Sequence, residues 1–278
     1  MNFAKLAAVA TIAASLFITG CGEKTKIVVL MGQSNMVGTN KTDYIPETNI
    51  RVRALTLDNR LVVAGENLYS GSSSHKELLP MKEGVSLGTE FGKLYSNFLK
   101  PDEEVVLVPC ARGMSTMKEQ VEPGTTNFFG IKFEKSLLQV CVDRAKIASN
   151  LTGGGQVHAV LYYQGEADAY MARSFPSAEK QLHTEWELGV LKIKRTFKEA
   201  FGTERFAFAQ LATVDDETVS GQWNRFKAMQ EAVSVKHNIP MVKTDDLSME
   251  QDELHLDAKA AREVGYRFAE ALKNIFIN

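Results

Sequence analysis

The sequence has little of what metal centres, disulfide frameworks and nucleic-acid sites require. It contains 3 cysteines and 5 histidines among 278 residues. It has no C-x-x-C spacing and no His/Cys cluster, so we expect no metal ion and no organic cofactor. Its 32 basic and 34 acidic residues give a formal net charge of -2. Because the basic residues are scattered, no stripe is available for a phosphate backbone, and nucleic acid is not an expected partner.

The sequence also lacks internal repeats, low-complexity tracts and linkers that would divide the chain. Its composition, with 44% hydrophobic and 24% charged residues, is that of a folded protein able to bury a sizeable core. We therefore expect one α/β domain of catalytic size.

Only one stretch is both long and apolar, and it lies at the N-terminus. After Lys5, residues 6–17 are apolar or small, a run of secretory length but shorter than the ~20 residues of a membrane span. The segment L16-F-I-T-G-C21 resembles the end of a bacterial lipoprotein signal, in which the cysteine sulfur takes a diacylglyceryl group. The resemblance implies that residues 1–20 are a signal peptide and that Cys21 anchors an exported protein to a membrane in the periplasm or at the cell surface. Ordinary secretion is the alternative.

If Cys21 carries a lipid, Cys110 and Cys141 are the remaining cysteines. An exported compartment permits a disulfide bond between them. Two buried free thiols are the preferred expectation, because the sequence provides no geometry for a bridge.

Short apolar runs alternate along the chain with segments of helical periodicity. Five runs predict buried strands, at residues 26–30, 104–109, 157–163, 206–211 and 240–244. Apolar residues at helical spacing predict helices at residues 87–98, 133–145, 177–200, 222–236 and 258–276. This alternation predicts a mainly parallel five-stranded sheet with helices on both faces, a three-layer α/β/α sandwich.

Two segments interrupt the alternation. Residues 50–57 and 60–64 flank a two-residue turn and resemble a β-hairpin, which we expect to lie outside the main sheet. Residues 114–130 contain one proline and two glycines. They predict a long loop, of the kind that is usually functional or mobile.

Polar side chains gather directly after the predicted strands. The first strand leads to Ser34, the second to A111-R-G-M114, the third to Q164-G-E-A-D168 and the fifth, across a short stretch, to D252-E-L-H255. In open parallel sheets, ligands bind beyond the carboxyl ends of the strands. The sequence therefore predicts one site at that edge of the sheet.

These groups match the requirements of acyl transfer through serine. The reaction needs a hydroxyl nucleophile, a histidine to take its proton, a carboxylate to hold the imidazole and donors for the oxyanion. Ser34 is the candidate nucleophile, His255 the base, and Asp252 the carboxylate that fixes the ring tautomer. The candidate oxyanion donors are the backbone N–H groups of Ser34 and Gly113 and the side-chain amide of Gln164.

Each of these residues has a plainer interpretation when it is taken alone. Ser34 is able to cap the following helix, Asp252 to cap the last one, and His255 to be an ordinary surface histidine. Arg112 is either a surface charge or a guanidinium that binds a substrate carboxylate or sugar hydroxyl. The other four histidines are assigned to structure or surface. The catalytic interpretation is preferred because every part of one mechanism falls at the same end of one sheet.

Three sequence blocks resemble those of the SGNH hydrolases. G32-Q-S-N-M36 resembles their nucleophile block, and Y163-Q-G-E-A-D-A169 resembles a block usually written Q-G-E-S-D-A. D252-E-L-H255 is similar to the last block, Asp-x-x-His followed by a helix. The branch with this combination is that of the sialic-acid O-acetylesterases and the acetyl xylan esterases of carbohydrate esterase family 6.

The resemblance implies an SGNH-type, flavodoxin-like esterase domain over residues 21–278, with Ser34, His255 and Asp252 as its triad. It also puts Gln164 where other SGNH enzymes carry an oxyanion-hole asparagine. The residues beside these groups are expected to bind substrate: Gln33, Asn35, Arg112 and Glu166.

One block departs from the pattern of the branch. The branch often shows Ala-x-Gly-Gly, whereas this chain has A111-R-G-M114. The departure lies next to Gly113, a candidate oxyanion donor, and Met114 and Arg112 are placed to reshape the acyl or sugar pocket.

We therefore expect an exported serine esterase that removes O-acetyl groups from a carbohydrate, with sialic acid, xylan, pectin and mucin glycans all open as the sugar. One alternative is an esterase or thioesterase for lipids or small esters with the same triad. Another is a surface glycan-binding lipoprotein with a vestigial serine. A glycosidase pair of Glu166 and Asp168 is disfavoured, because two acids on one turn seldom face each other across a glycosidic bond.

Overall fold

A computed structural model of the chain describes residues 24–38, 49–65, 67–81, 84–127, 130–214, 217–252 and 254–276. Within these ranges the protein has a mixed α/β fold, in which a central sheet lies between two layers of helices. The expected signal peptide and lipid attachment site, Cys21, lie outside the described residues.

Nine strands occur in the described ranges, and most of them are short and buried. They are β1 (Thr25–Gly32), β2 (Val52–Leu55), β3 (Leu61–Val63), β4 (Glu104–Pro109), β5 (Thr125–Thr126), β6 (Lys132–Phe133), β7 (Gln156–Tyr163), β8 (Phe206–Ala209) and β9 (Met241–Val242). Seven of them form the central sheet in the order β3-β2-β4-β1-β7-β8-β9, and β5 pairs with β6 separately. Neighbours in the central sheet are parallel except for β2 with β3.

Eight α-helices accompany these strands in the same ranges. They are α1 (Ser34–Val37), α2 (Leu87–Phe98), α3 (Met117–Val121), α4 (Leu137–Leu151), α5 (Glu166–Ser174), α6 (Glu179–Phe201), α7 (Glu217–His237) and α8 (Ala258–Phe276). Helices α2 and α8 pack together on one face of the sheet, and α4 and α6 pack on the other. Among the described helices, none combines the length and the hydrophobicity that a membrane span requires.

The predicted three-layer fold with a mainly parallel sheet is confirmed, but the sheet has seven strands and not five. The two additional strands are the hairpin of β2 and β3, which the sequence pattern wrongly placed outside the sheet. Val52 and Ala54 are buried, and β2 pairs in parallel with β4 along Val105 to Leu107. The outer strand β3 is largely exposed, as is usual for the edge of a sheet.

Three further elements were not expected from the sequence pattern. The segment predicted as a loop, residues 114–130, contains α3 and β5. Thr116 precedes α3 in a capping box, in which its backbone N–H donates to the carboxylate of Glu119 at 2.8 Å. The block that follows β7 opens into helix α5, and Gly165 before it has a φ of 146°.

The close approach of α2 and α8 depends on a glycine. A Cβ added to Gly265 of α8 would lie 2.2 Å from the backbone oxygen of Leu87 in α2. Only glycine therefore allows the two helix backbones to pack at this distance. The contact holds α8 against the sheet, and α8 directly follows the segment that carries His255.

Cys110 and Cys141 are both buried and free. The sulfur of Cys141 lies 3.6 Å from the backbone oxygen of Cys110. The structure therefore agrees with the expectation of two buried thiols. Burial raises the pKa of the Cys141 thiol well above its usual value, which keeps the thiol uncharged and unreactive.

Candidate active site

The carboxyl ends of three neighbouring strands, β4, β1 and β7, carry the first three groups predicted for the site. The strand order reverses at β1, because β4 and β2 lie on one side of it and β7, β8 and β9 on the other. Such a reversal leaves a crevice beyond the strand ends. Gly113 follows β4, Ser34 follows β1 and Glu166 follows β7. All three residues line one pocket together with His255.

The turn that delivers Ser34 depends on Gly32, the last residue of β1. Its φ is 144°, and a Cβ there would lie 2.0 Å from the backbone oxygen of Tyr163. The backbone N–H of Gln33 donates to that same oxygen at 2.9 Å. Ser34 then begins α1, with 8% of its surface exposed. The glycine thus lets the chain turn against β7 and present the serine at the edge of the sheet.

The loop after β4 brings Gly113 against the serine. The backbone N–H of Arg112 donates to the backbone oxygen of Gly32 at 3.0 Å, which ties the loop to the end of β1. A Cβ added to Gly113 would lie 3.7 Å from the Cβ of Ser34. This proximity suits the oxyanion-donor role predicted for the backbone N–H groups of Gly113 and Ser34, which stays a prediction.

Asp252 and His255 form a hydrogen-bonded pair. Oδ2 of Asp252 lies 2.6 Å from Nδ1 of His255, and Oδ1 accepts the backbone N–H groups of Leu254 and His255 at 3.0 and 2.9 Å. Partial burial raises the pKa of Asp252, but the hydrogen bonds from His255 outweigh it, and the net pKa lies below its usual value. A charged carboxylate on Nδ1 leaves Nε2 free to take a proton from a nucleophile.

Asn35 is not among the residues that line the pocket, and its side chain makes its contacts inside the protein, so its predicted role in substrate binding stays a prediction. Its amide nitrogen donates to Oε1 of Glu166 at 2.6 Å and to the backbone oxygen of Leu254 at 3.2 Å. Its side-chain oxygen accepts the backbone N–H of Leu256 at 3.0 Å. Asn35 therefore holds the chain on both sides of His255 next to the turn that carries Ser34.

Glu166 lines the pocket as a buried carboxyl group. It is 1% exposed, and its Oε1 accepts the hydrogen bond from Asn35. Burial raises the pKa of Glu166, while the hydrogen bond from Asn35 and the nearby charge of His255 act in the opposite direction. The prediction that Glu166 binds substrate stays a prediction, and its observed contact is with Asn35.

Gln164 requires a correction, because its amide is not available to an oxyanion. The residue is fully buried. Its amide nitrogen donates to the backbone oxygen of Ser115 at 3.1 Å and to the carboxylate of Asp168. Its oxygen accepts from the indole N–H of Trp186 at 2.9 Å and from the hydroxyl of Tyr162 at 3.2 Å. With both amide hydrogens engaged, Gln164 supports the protein interior.

Gln33 and Arg112 both line the pocket, as the prediction of substrate binding requires. Oε1 of Gln33 accepts the backbone N–H of Ala167 at 3.2 Å, so this side chain also fixes the start of α5. The guanidinium of Arg112 donates to the backbone oxygen of Glu77 at 3.0 Å and lies 5.5 Å from the ring centre of Phe133. Burial lowers the pKa of Arg112. Substrate contacts of both residues stay predictions.

The two acids on the first turn of α5 point to different partners. Asp168 accepts the backbone N–H of Met117 at 3.0 Å and a hydrogen bond from Gln164. Burial raises the pKa of Asp168 to about 7. Since Glu166 faces the pocket and Asp168 faces the start of α3, they do not form the carboxyl pair of a glycosidase. Across the described residues, no group of three or more His, Cys, Asp or Glu side chains could hold a metal ion.

The pocket beside Ser34 has a volume of about 620 Å³. Much of its wall is apolar, and the large apolar side chains in it include Leu79, Met81, Met114, Ile131, Tyr170 and Met171. Among these side chains, the sequence pattern pointed to Met114 as an individual residue. A signal for part of the set was present, because Ala167, Tyr170, Met171 and Ser174 line the pocket at the spacing of one helix face. Leu79 and Ile131 lie outside the helices and strands and carry no periodic signal.

Met114 adopts an unusual backbone conformation at the pocket. Its φ is 61°, in the left-handed region that favours glycine. The side-chain nitrogen of Asn127 donates to its backbone oxygen at 3.0 Å. Its side chain is 51% exposed. Met114 occupies the position at which the sialic-acid O-acetylesterase branch often has the second glycine of Ala-x-Gly-Gly. The left-handed backbone at this position explains why glycine is common there.

Known proteins share this fold. The chain is 26% identical to the probable carbohydrate esterase At4g34215 of Arabidopsis thaliana over 267 residues, which are 90% of this chain and 91% of that protein. The X-ray structure of the Arabidopsis protein matches with a TM-score of 0.69 and 21% identity, covering 91% of this chain and 99% of that chain. The crystal structure of NanS matches with a TM-score of 0.64 and 14% identity, covering 92% and 98%.

A family model covers nearly all of the described chain. Residues 24–274 match the model described as carbohydrate esterase, sialic acid-specific acetylesterase. The matched range includes all three blocks on which the resemblance to this branch of the SGNH hydrolases depended. That resemblance is therefore confirmed.

Proposed function

Because the chain belongs to the family of carbohydrate esterases described as sialic acid-specific acetylesterases, we propose that it removes O-acetyl groups from a carbohydrate through Ser34, His255 and Asp252. The observation that carries the proposal is that Ser34 and His255 line one pocket while Asp252 holds the far nitrogen of the imidazole at 2.6 Å. Nucleophile, base and orienting carboxylate are thereby available to one bound ester.

The proposed reaction has two halves. The Ser34 hydroxyl attacks the ester carbonyl while Nε2 of His255 takes its proton, and the imidazolium returns that proton to the departing sugar oxygen. Water then attacks the acetyl-enzyme with the same base, which releases acetate and restores the serine. The backbone N–H groups of Ser34 and Gly113 are the proposed donors to the negative oxygen in both halves.

Gln33, Arg112 and Glu166 are polar residues that line the pocket. A guanidinium and a carboxyl suit the hydroxyl groups of a carbohydrate, and the guanidinium also suits a carboxylate. We therefore propose these three residues as the sugar-binding groups. Hydrolysis of acetylated neutral and acidic sugars, compared between the native protein and Arg112→Gln, tests whether the guanidinium selects a carboxylate.

A second candidate function, an esterase for small or lipid esters with the same triad, is favoured by the apolar wall of the pocket. Sugars present many hydroxyl groups, whereas Leu79, Met81 and Ile131 offer no hydrogen bonds to them. The two functions differ in the alcohol part of the ester substrate, because the first requires a sugar there and the second does not. Relative kcat/KM for an acetylated monosaccharide and for a simple alkyl acetate decides between them.

The experiment that tests the proposed function is acetate release from acetylated sugars by purified protein and by Ser34→Ala. We expect the variant to lose activity on the order of 10³-fold or more, as for removal of a triad residue. Ser177→Ala changes an exposed serine before α6 and serves as the matched control with unchanged activity. Glycan binding without turnover by the native protein would instead support a non-catalytic glycan-binding lipoprotein.

The location of the protein is a separate proposal. We propose that residues 1–20 direct export, that Cys21 carries the lipid, and that residues 21–278 form one membrane-anchored esterase domain. The apolar run before Cys21 supports this proposal. Replacement of Cys21 by serine should move the protein from the membrane fraction to the soluble exported fraction, and incorporation of labelled palmitate should be lost. Unchanged membrane association of the variant would contradict the lipid anchor.

A further inference from the structure

The pocket beside Ser34 is far larger than an acetyl group requires. Its volume of about 620 Å³ lies within the range of about 300–1,000 Å³ that holds whole organic ligands. Bound acetate would occupy a small part of this space next to the serine. The rest of the substrate must therefore contact the remaining part of the pocket wall.

Two large apolar side chains of the pocket wall are about half exposed. Met114 is 51% exposed and Leu79 is 50% exposed, and both line this pocket. Met81 and Met171 extend the same surface, and unbranched thioether side chains adapt to hydrocarbon groups of varied shape. A contiguous exposed apolar surface next to a nucleophile indicates that an apolar part of the substrate covers it.

Met114 is held at this wall against its own backbone preference. Its φ of 61° strains any residue with a side chain, and the hydrogen bond from Asn127 to its backbone oxygen maintains the conformation. Its neighbour Gly113 adjoins Ser34. Strain of this kind concentrates at functional sites, where the surrounding structure maintains it.

We propose that Met114 is a specificity-determining residue, whose side chain binds a hydrocarbon group of about four or more carbons that the ester substrate carries beside the reacting carbonyl. This inference rests on the proposed serine-esterase function. A hydrocarbon in the alcohol part of the ester keeps acetate as the acid released, whereas a hydrocarbon in the acyl part makes the released acid longer than acetate. The hydrocarbon belongs either to the acyl group or to the alcohol, and in both cases it makes the same apolar contacts with Met114, Leu79 and Met81.

The test uses three simple esters that need no sugar recognition: methyl acetate, methyl hexanoate and hexyl acetate. Their hydrolysis is followed by titration of the released acid at constant pH. The second ester places the hydrocarbon on the acyl side, and the third places it on the alcohol side. We expect kcat/KM for one of the two long esters to exceed that for methyl acetate by about tenfold or more, since each buried methylene group favours binding.

Two variants of Met114 test whether its side chain causes the preference for the long ester. Met114→Gln keeps the length of the side chain and the strained backbone but removes the apolar surface. Met114→Gly removes the side chain and relaxes the backbone. Both should reduce the preference for the long ester at least threefold. Asn238→Gly is the matched control, because Asn238 also has a positive φ, 48°, but follows α7 away from the pocket.

Equal kcat/KM for the three esters in the native protein would overturn the proposal, and so would a long-ester preference that both Met114 variants retain. If none of the three esters is hydrolysed while acetylated sugars are, the esterase function stands and the inference about a hydrocarbon group fails.

If neither simple esters nor acetylated sugars are hydrolysed, the proposed function fails. Calorimetric binding of hexyl and methyl β-D-glucoside to Ser34→Ala then decides the inference. Binding of the hexyl compound about tenfold more tightly supports the apolar site, and equal binding overturns it.

Discussion

The side-chain nitrogen of Asn35 lies 2.6 Å from Oε1 of Glu166, across 131 positions of the sequence. The same side chain bonds to the backbone of Leu254 and Leu256, the two neighbours of His255. One buried amide thus connects the residue after the candidate nucleophile with the segment that carries the candidate base. The distance between serine and histidine depends on this connection as well as on the sheet.

Replacement of Asn35 by alanine should lower kcat more than it changes KM. We expect kcat to fall by about 10- to 100-fold, because a displacement of about 1 Å in a catalytic group has effects of that size, and KM to stay within about twofold. Steady-state kinetics on an acetylated sugar measure both. Asn150→Ala, an exposed position on α4, is the control. A rise in KM with unchanged kcat would instead favour the substrate-binding role predicted from the sequence.

The variant Asp252→Asn should retain the shape of the loop and lose the activity. Its Oδ1 still accepts the backbone N–H groups of Leu254 and His255, while an amide replaces the oxygen that faces Nδ1. The imidazole then favours the wrong tautomer, and we expect kcat to fall on the order of 10³- to 10⁴-fold. Circular dichroism and kinetics together separate folding from catalysis.

Asp102→Asn provides the control for this variant, because Asp102 is an exposed aspartate that pairs with Lys24 away from the pocket. Its activity should equal that of the native protein. If Asp252→Asn kept more than about a tenth of the native kcat, the pair would not orient the base.

The substitution Gly32→Ala should strongly destabilise the fold. The methyl group would meet the backbone oxygen of Tyr163 at 2.0 Å in a backbone with φ of 144°, and neither strand can move without breaking the centre of the sheet. We expect the free energy of unfolding to fall by more than about 3 kcal/mol, measured by urea denaturation and soluble yield.

Gly153→Ala separates the steric contact from the backbone strain. Gly153 also has a positive φ, 69°, but a Cβ there would meet nothing within 4 Å. This variant should lose only about 1 kcal/mol of stability. Equal losses in the two glycine variants would show that the clash at Tyr163 is relieved by movement of the chain.

Stability should depend on pH through His158. This residue is buried, with its Nε2 2.7 Å from the hydroxyl of Tyr95, and burial lowers its pKa from 6.5 to about 3. Between those values the unfolded chain binds a proton that the folded protein does not. The free energy of unfolding therefore falls as the pH drops below 6.5, by up to about 1.4 kcal/mol per pH unit.

The variant His158→Gln lacks this titration. Urea denaturation of both proteins at pH 7.5, 6 and 5 should show the native protein losing stability relative to the variant as the pH falls. Because other groups titrate equally in both proteins, only the difference between them is informative. A difference that stays constant over this pH range would show that His158 takes up its proton equally in both states.

Much of the architecture was accessible from the sequence, because strand and helix periodicity is a local property. The bounds of β4 and α2 agree with the apolar runs that predicted them. The hairpin of β2 and β3 was recognised as a hairpin but not as part of the sheet, since pairing with β4 joins residues about 50 positions apart. The alternation of apolar and polar residues within a hairpin does not indicate which strand of a sheet the hairpin pairs with.

The fold class, the family and the residues at the carboxyl edge of the sheet follow from local patterns in the sequence. Those depend on periodicity, on short blocks and on the Asp-x-x-His spacing that sets the contact between Asp252 and His255. The contacts of Asn35 and Gln164 depend on how distant segments fold together, since their neighbours in sequence do not determine where an amide finds its partners. Buried polar groups must be satisfied, and distant segments supplied those partners. For that reason Gln164 bonds within the interior and Asn35 holds the segment around His255.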